Sequence, residues 1–132
     1  MERRKILVIE DDPETVDMLR MTLERASYEV VAAYGGQEGV EKARAEKPDA
    51  IILDLMMPEK DGFAACKELK EDRECADIPV LVVTALPDYL PRTWYAKTMA
   101  LDLESEDYID KPVDPKELLR RIGELLELRH RA

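Results

Sequence analysis

Histidine and cysteine are both scarce in this chain, and each scarcity removes a class of chemistry. His130 is the only histidine; in the polar tail Arg129-His130-Arg131 it is expected to be solvated rather than catalytic. Cys66 and Cys75 are the only cysteines. They form no CxxC pair and have no histidine cluster beside them, so both read as reduced thiols of a cytoplasmic protein rather than as a disulfide or redox pair. Long apolar runs are missing too, and none approaches the ~18 residues of a membrane span. Behind Met1-Glu2-Arg3-Arg4-Lys5 only four apolar residues precede three acids, which is not the pattern of a signal peptide. Positive charge is in deficit: the formal charge of −10 disfavours direct binding of nucleic acid or anionic membrane. Repeats, low-complexity tracts and linkers are likewise lacking.

What remains is one globular domain over residues 1–132, with no output domain expected. Hydrophobic residues make up 45% and charged residues 38%, which argues against disorder. Apolar runs alternate with helix-period segments, the pattern of βαβ units around a parallel sheet. The near-continuous Ile/Leu/Val character of the runs indicates strands buried on both faces. Five strands are expected near residues 5–10, 28–33, 50–54, 79–84 and 107–110, each followed by a helix. Asp12 and Pro13 start the first helix, with Val16, Leu19 and Leu23 inward. Gly35-Gly36 ends the second strand, and Val40 and Ala43 face inward from a helix over 37–46. Asp61-Gly62 opens the third helix, with Phe63, Cys66 and Leu69 on its inner side. Asp114-Pro115 starts the last, whose wide face Leu118, Leu119, Ile122, Leu125 and Leu126 is expected to cover the sheet in part and leave the rest for a partner. Between Thr84 and the fifth strand, Pro87 and Pro91 delay any helix beyond Leu90.

Chemistry-bearing residues gather at the strand ends. Ile6-Leu7-Val8-Ile9 runs into Glu10-Asp11-Asp12, Ala50-Ile51-Ile52-Leu53 into Asp54, Val80-Leu81-Val82-Val83 into Thr84, and Tyr108-Ile109-Asp110 into Lys111-Pro112. Ligands of an open parallel sheet bind outside the carboxyl ends of its strands, so these residues can share one cleft. Crowded carboxylates repel one another unless a cation sits among them. A hard cation such as Mg²⁺ takes one or two carboxylates, waters and a phosphate oxygen, which suits Asp11 and Asp54, with Glu10 contributing through a water. Asp54 kept ionised is a nucleophile; Lys111 and the Thr84 hydroxyl suit the oxygens of a transferred phosphoryl group. Asp12 reads better as a plain helix cap.

The segments Ile6–Asp12, Ile52-Leu53-Asp54-Leu55-Met56-Met57-Pro58, Asp61-Gly62, Val82-Val83-Thr84-Ala85 and Tyr108-Ile109-Asp110-Lys111-Pro112 together resemble the receiver domain of two-component response regulators, in order and over essentially the whole chain. The resemblance implies a flavodoxin-like, three-layer α/β/α fold: a doubly wound five-stranded parallel sheet in order 2-1-3-4-5 with five helices. It implies that Asp54 is the phosphoacceptor and that Glu10 and Asp11 form the acid pocket. Mg²⁺, or Mn²⁺ in its place, would be held by Asp11, Asp54 and the backbone carbonyl of Met56. Thr84 and Lys111 would contact the phosphoryl group, before a cis Lys111-Pro112 peptide. A histidine kinase or phosphotransfer protein would be the donor. Thr84 and Tyr108 would act as the switch that remodels the surface of helix 4, strand 5 and helix 5 toward a downstream protein partner or output domain, as a monomer or a phosphorylation-dependent dimer. Tyr108 also has a plainer reading, as a half-buried strand tyrosine.

Two departures from the family pattern stand out. The stretch from Thr84 to Lys111 is longer than usual, and Glu104-Ser105-Glu106 replaces the customary Gly-Ala before strand 5; Trp94 and Tyr95 there read as partner anchors or as core filler. Met56 and Leu86, two residues after Asp54 and Thr84, cannot orient a water, so slow autodephosphorylation is expected. The main reading is therefore a switch and not an enzyme. Its alternatives are a receiver cut from a larger DNA-binding or enzymatic regulator, and a pseudo-receiver acting by binding alone. An aspartate-nucleophile phosphatase is disfavoured because Met56 occupies its general-acid position. A flavin carrier is disfavoured because the first strand ends in acids, not in a phosphate loop.

Overall fold

A computed structural model describes residues 3–55, 62–85 and 105–131, the last three as backbone alone. Its elements are β1 (Lys5–Ile9), α1 (Pro13–Arg25), β2 (Glu29–Ala33), α2 (Gly36–Glu46), β3 (Ala50–Leu53), α3 (Gly62–Glu71), β4 (Val80–Thr84), β5 (Asp107–Asp110) and α4 (Pro115–Arg131). All five expected strands are present, and they form one parallel sheet in the order β2-β1-β3-β4-β5. Four helices lie among the described residues. The helix expected after the fourth strand falls on residues 86–104, outside them.

Side chains alternate across a strand, and here each set meets its own helices. Leu7, Ile9, Ile51, Leu53, Val80 and Val82 join Val40, Ala43, Ala65, Cys66 and Leu69 of α2 and α3. Ile6, Val8, Ile52, Leu81, Val83 and Ile109 join Leu19, Leu23, Leu118, Ile122 and Leu125 of α1 and α4. A strand covered on both faces has no polar side, which is why these runs read as unbroken Ile, Leu and Val. Cys66 and Cys75 form no disulfide and lie within the first cluster; burial pushes the Cys75 thiol above its ordinary value, away from the reactive thiolate.

Helix starts follow local chemistry. Asp12 caps α1, accepting from the Glu14 N–H (3.3 Å) and the Thr15 hydroxyl (2.6 Å). Gly35 caps α2 rather than ending β2, and the Glu38 carboxylate in the first turn reaches back to accept from the Tyr34 N–H, just before the cap, at 2.9 Å. Four residues of the wide α4 face, Leu118, Ile122, Leu125 and Leu126, are buried, and Leu119 is only partly so. Leu19 and Leu23 of α1 lie in the same cluster, and the sequence of α4 carries no sign of that neighbour. No helix among the described residues is long and apolar enough to cross a membrane.

Candidate functional site

The ladder carries the strand ends into one cleft. Past the last paired residues, the Glu10 N–H donates to Ala33 O (3.0 Å), the Asp54 N–H to Ile9 O (3.0 Å) and the Lys111 N–H to Thr84 O (2.9 Å). Glu10, Asp54 and Lys111 are thus each the first residue beyond the sheet, fixed by a backbone bond to the neighbouring strand. The order β2-β1-β3-β4-β5 makes β1 and β3 neighbours, so Glu10, Asp11 and Asp54 converge. Ligand oxygens of these three acids lie within 4.8 Å of one another. Glu10 is 2% exposed and Asp54 4%, so water screens their repulsion poorly.

A lysine answers the cluster. The Lys111 ammonium sits 2.6 Å from Glu10 Oε1 and 3.6 Å from Asp54 Oδ2. Burial opposes its charge, but the two carboxylates outweigh that and hold its pKa above the ordinary lysine value. The values of Glu10 and Asp11 rise as well, which for an acid disfavours the charged form. Burial first, then the Asp54 carboxylate, pushes Glu10 up, with Lys111 pulling back. Burial and then Glu10 push Asp11 up, and Lys111 is the weakest influence on it. Glu10 Oε2 also accepts from the Asp11 N–H at 3.0 Å.

An oxygen-only donor set, under-neutralised and nearly dry, fits a hard divalent cation. The third expected ligand, the Met56 carbonyl, lies outside the described residues, as do Leu86, Trp94 and Tyr95. Thr84 ends β4 beside β3; its hydroxyl oxygen is fully buried and has no hydrogen-bond partner among the described residues. Leaving such a group unmatched costs about 1–3 kcal/mol. Tyr108, on β5, is partly buried and packs against the α2–α3 side of the core. Its carbonyl accepts from Arg121 of α4, which also binds Asp107 at 2.6 Å. The Lys111-Pro112 peptide is cis, as expected.

Sequence reasoning missed how α3 attaches. The Gly62 N–H donates to Leu55 O at 3.0 Å, and a Cβ on Gly62 would fall 2.2 Å from Asp54 O and 2.3 Å from Leu55 Cα. The helix therefore starts directly on the peptide that carries Asp54, an approach only glycine permits. The signal in the sequence was Asp61-Gly62, which reads as a helix start; the contact it serves is tertiary.

A family model for the response regulator receiver domain matches residues 6–123. Among curated proteins, the chain is 42% identical over 122 residues to the DNA-binding dual master transcriptional regulator RpaA of Synechocystis, covering 92% of this chain and 48% of that protein. It is 37% identical over 123 residues to the alkaline phosphatase synthesis transcriptional regulatory protein PhoP of Bacillus subtilis, covering 93% and 48%. The chain thus spans about half the length of both. The receiver domain of the Pseudomonas aeruginosa sensor histidine kinase PA1611, solved with a magnesium ion coordinated in its active site cleft, superposes with a TM-score of 0.83 at 25% identity, covering 96% of this chain and 99% of that one.

Proposed function

The chain belongs to the response regulator receiver family, and from that premise we propose that it is a phosphorylatable switch with Asp54 as its phosphoacceptor. It is a signalling receiver, not an enzyme with a free substrate. The observation that carries the reading is the convergence of Glu10, Asp11 and Asp54 within 4.8 Å, with Lys111 3.6 Å from Asp54. A nucleophile, an acid pair able to hold a cation and a compensating ammonium are the parts that phosphoryl transfer to a carboxylate needs.

Asp11 and Asp54 would hold Mg²⁺ (or Mn²⁺), with Glu10 through a water and the Met56 carbonyl as a further ligand. The metal would supply charge neutralisation between the carboxylates and an incoming phosphate. Asp54 attacks the phosphorus of a phosphohistidine on a histidine kinase or phosphotransfer protein. The Oδ–P bond forms as the donor's P–N bond breaks, the electron pair leaving with the imidazole. Lys111 transfers its attention from Glu10 to the phosphoryl oxygens, and the buried Thr84 hydroxyl donates to another. Moving Thr84 frees space for Tyr108 to turn inward, biasing a two-state surface formed by the helix expected between β4 and β5, by β5 itself and by α4, the fifth helix of the expected pattern. The protein works in the cytoplasm, in keeping with cysteines that form no disulfide.

The test is incubation with acetyl phosphate or phosphoramidate plus Mg²⁺, followed by intact mass. One phosphoryl adduct is expected in the wild type and none in Asp54→Asn. No adduct with any donor would replace this reading by a pseudo-receiver acting through binding alone. A second reading is supported by the relatives: PhoP and RpaA are about twice as long and are named as transcriptional regulators. In it, residues 1–132 form the receiver of a regulator whose output domain binds DNA; the alternative is a single-domain receiver with a protein partner, as monomer or phosphorylation-dependent dimer.

A further inference from the structure

Glu106 is the residue around which the β4–β5 pairing is built. It stands just before β5, in the Glu104-Ser105-Glu106 stretch that replaces the family's usual Gly-Ala. Its N–H donates to Val80 O at 3.1 Å, an ordinary ladder bond. Its side chain then does something a Gly-Ala cannot. Oε2 accepts from the Val80 N–H at 2.6 Å, while Oε1 takes the Lys70 ammonium at 2.5 Å. Both backbone groups of Val80 on that edge are satisfied by one residue, the carboxylate standing where a strand carbonyl would. Lys70, at the end of α3, is only 7% exposed and completes its three donors on Ile78 O (3.1 Å) and Ala76 O (3.5 Å). A charged group so buried persists only when its hydrogen bonds are met.

Resting on the receiver reading above, we propose that Glu106, backed by Lys70, is a positioning residue for Lys111. β5 is an edge strand with a partner on one side only, and a strand slipped by one residue turns every side chain to the opposite face. Glu106 pins its entry, which sets Leu81 against Asp107, Val82 against Tyr108 and Thr84 against Asp110. The next residue is Lys111. Asp11 and Asp54 follow β1 and β3 and owe nothing to this latch, so it governs the lysine and the Tyr108 ring while leaving the metal ligands alone.

The experiment uses the full chain with Glu106→Ala, Glu106→Gln and the double exchange Lys70→Glu with Glu106→Lys. Amide hydrogen exchange without donor or metal is read first. In Glu106→Ala, protection of the Lys111 amide falls about tenfold or more, while the Glu10 and Asp54 amides keep theirs. Unchanged protection at Lys111, or an equal loss at all three amides, overturns the proposal. Phosphorylation by acetyl phosphate is read second. The rate at saturating Mg²⁺ falls about tenfold in Glu106→Ala with the half-saturating Mg²⁺ concentration unchanged, because a misplaced lysine costs rate and not metal affinity. Equal losses in rate and metal affinity would overturn it as well. Glu106→Gln keeps an acceptor for Val80 and stays within about threefold of wild type. The double exchange keeps an ion pair but gives Val80 no acceptor, so it behaves like alanine; recovery to the wild-type rate overturns the ladder role. A wild-type chain that takes no phosphoryl group refutes the receiver reading alone, and the exchange data still decide whether the latch sets β5.

Discussion

Asp11→Asn should make the metal-free protein more stable, and the size of the gain follows from the geometry of the acid cluster. The ligand oxygens lie within 4.8 Å of one another, and at that outer separation unit charges repel by about 3.5 kcal/mol at an effective dielectric of about 20 and by about 0.9 kcal/mol in bulk water. Asp11 has two such neighbours, Glu10 and Asp54, and Lys111 is the weakest of the influences on it. It is the partly exposed member of the trio, so solvent screening brings the net relief to about 1–2 kcal/mol. For 132 residues an unfolding entropy of about 2.1 cal/mol/K per residue converts this to a Tm rise of about 4–7 °C. The assay is thermal unfolding at neutral pH and low salt in EDTA, repeated with Mg²⁺. Wild type should gain strongly from the metal, about 2.7 kcal/mol at a hundred times its Kd, and the Asp11→Asn variant much less. The pH dependence has a definite sign. Glu10 and Asp11 are both raised above their ordinary values, so over that interval the folded state holds protons that the unfolded chain has released. Wild-type stability therefore falls as pH rises through the window from the ordinary to the raised values. The advantage of the variant opens across that window and vanishes below it. A variant no more stable than wild type in EDTA, or stabilised equally by Mg²⁺, would refute the reasoning.

Gly62→Ala places a methyl against the Asp54 carbonyl, where backbone cannot yield as a side chain can; a loss of about 2 kcal/mol or more is expected in denaturant titration, with slower phosphorylation of Asp54. Asp12→Ala removes the α1 cap and should cost about 1 kcal/mol without changing half-saturation by Mg²⁺, which separates this acid from Asp11. Because Met56 and Leu86 cannot orient a water, the phosphorylated protein should lose its label slowly; a half-life of seconds in Mg²⁺ alone would contradict that.

Much of the fold was legible because it depends on local rules. Strands at 5–10, 28–33, 50–54, 79–84 and 107–110 needed only their apolar runs, and the α1 boundary needed only Asp12 and Pro13. The acids at the ends of β1 and β3 announced a site because charge beside a buried run has to be used or matched. Other features were invisible for a physical reason: they are agreements between distant segments. Lys70, Val80 and Glu106 belong to an α-helix, a strand and a loop, and nothing in any one of them signals the other two. The packing of α4 likewise depended on α1, near the opposite end of the chain.

The sequence by itself determined the alternation of strands and helices, the two-sided burial of the sheet and the identity of the groups at its carboxyl edge, since periodicity and residue chemistry act over a few neighbours. Tertiary structure alone decided that Lys111 sits closer to Glu10, at 2.6 Å, than to Asp54, at 3.6 Å, that Gly62 rides on the Asp54 peptide, and that a glutamate side chain finishes the β4–β5 ladder. Those outcomes turn on ångström distances between segments that meet only when the sheet closes, and burial then makes each distance count.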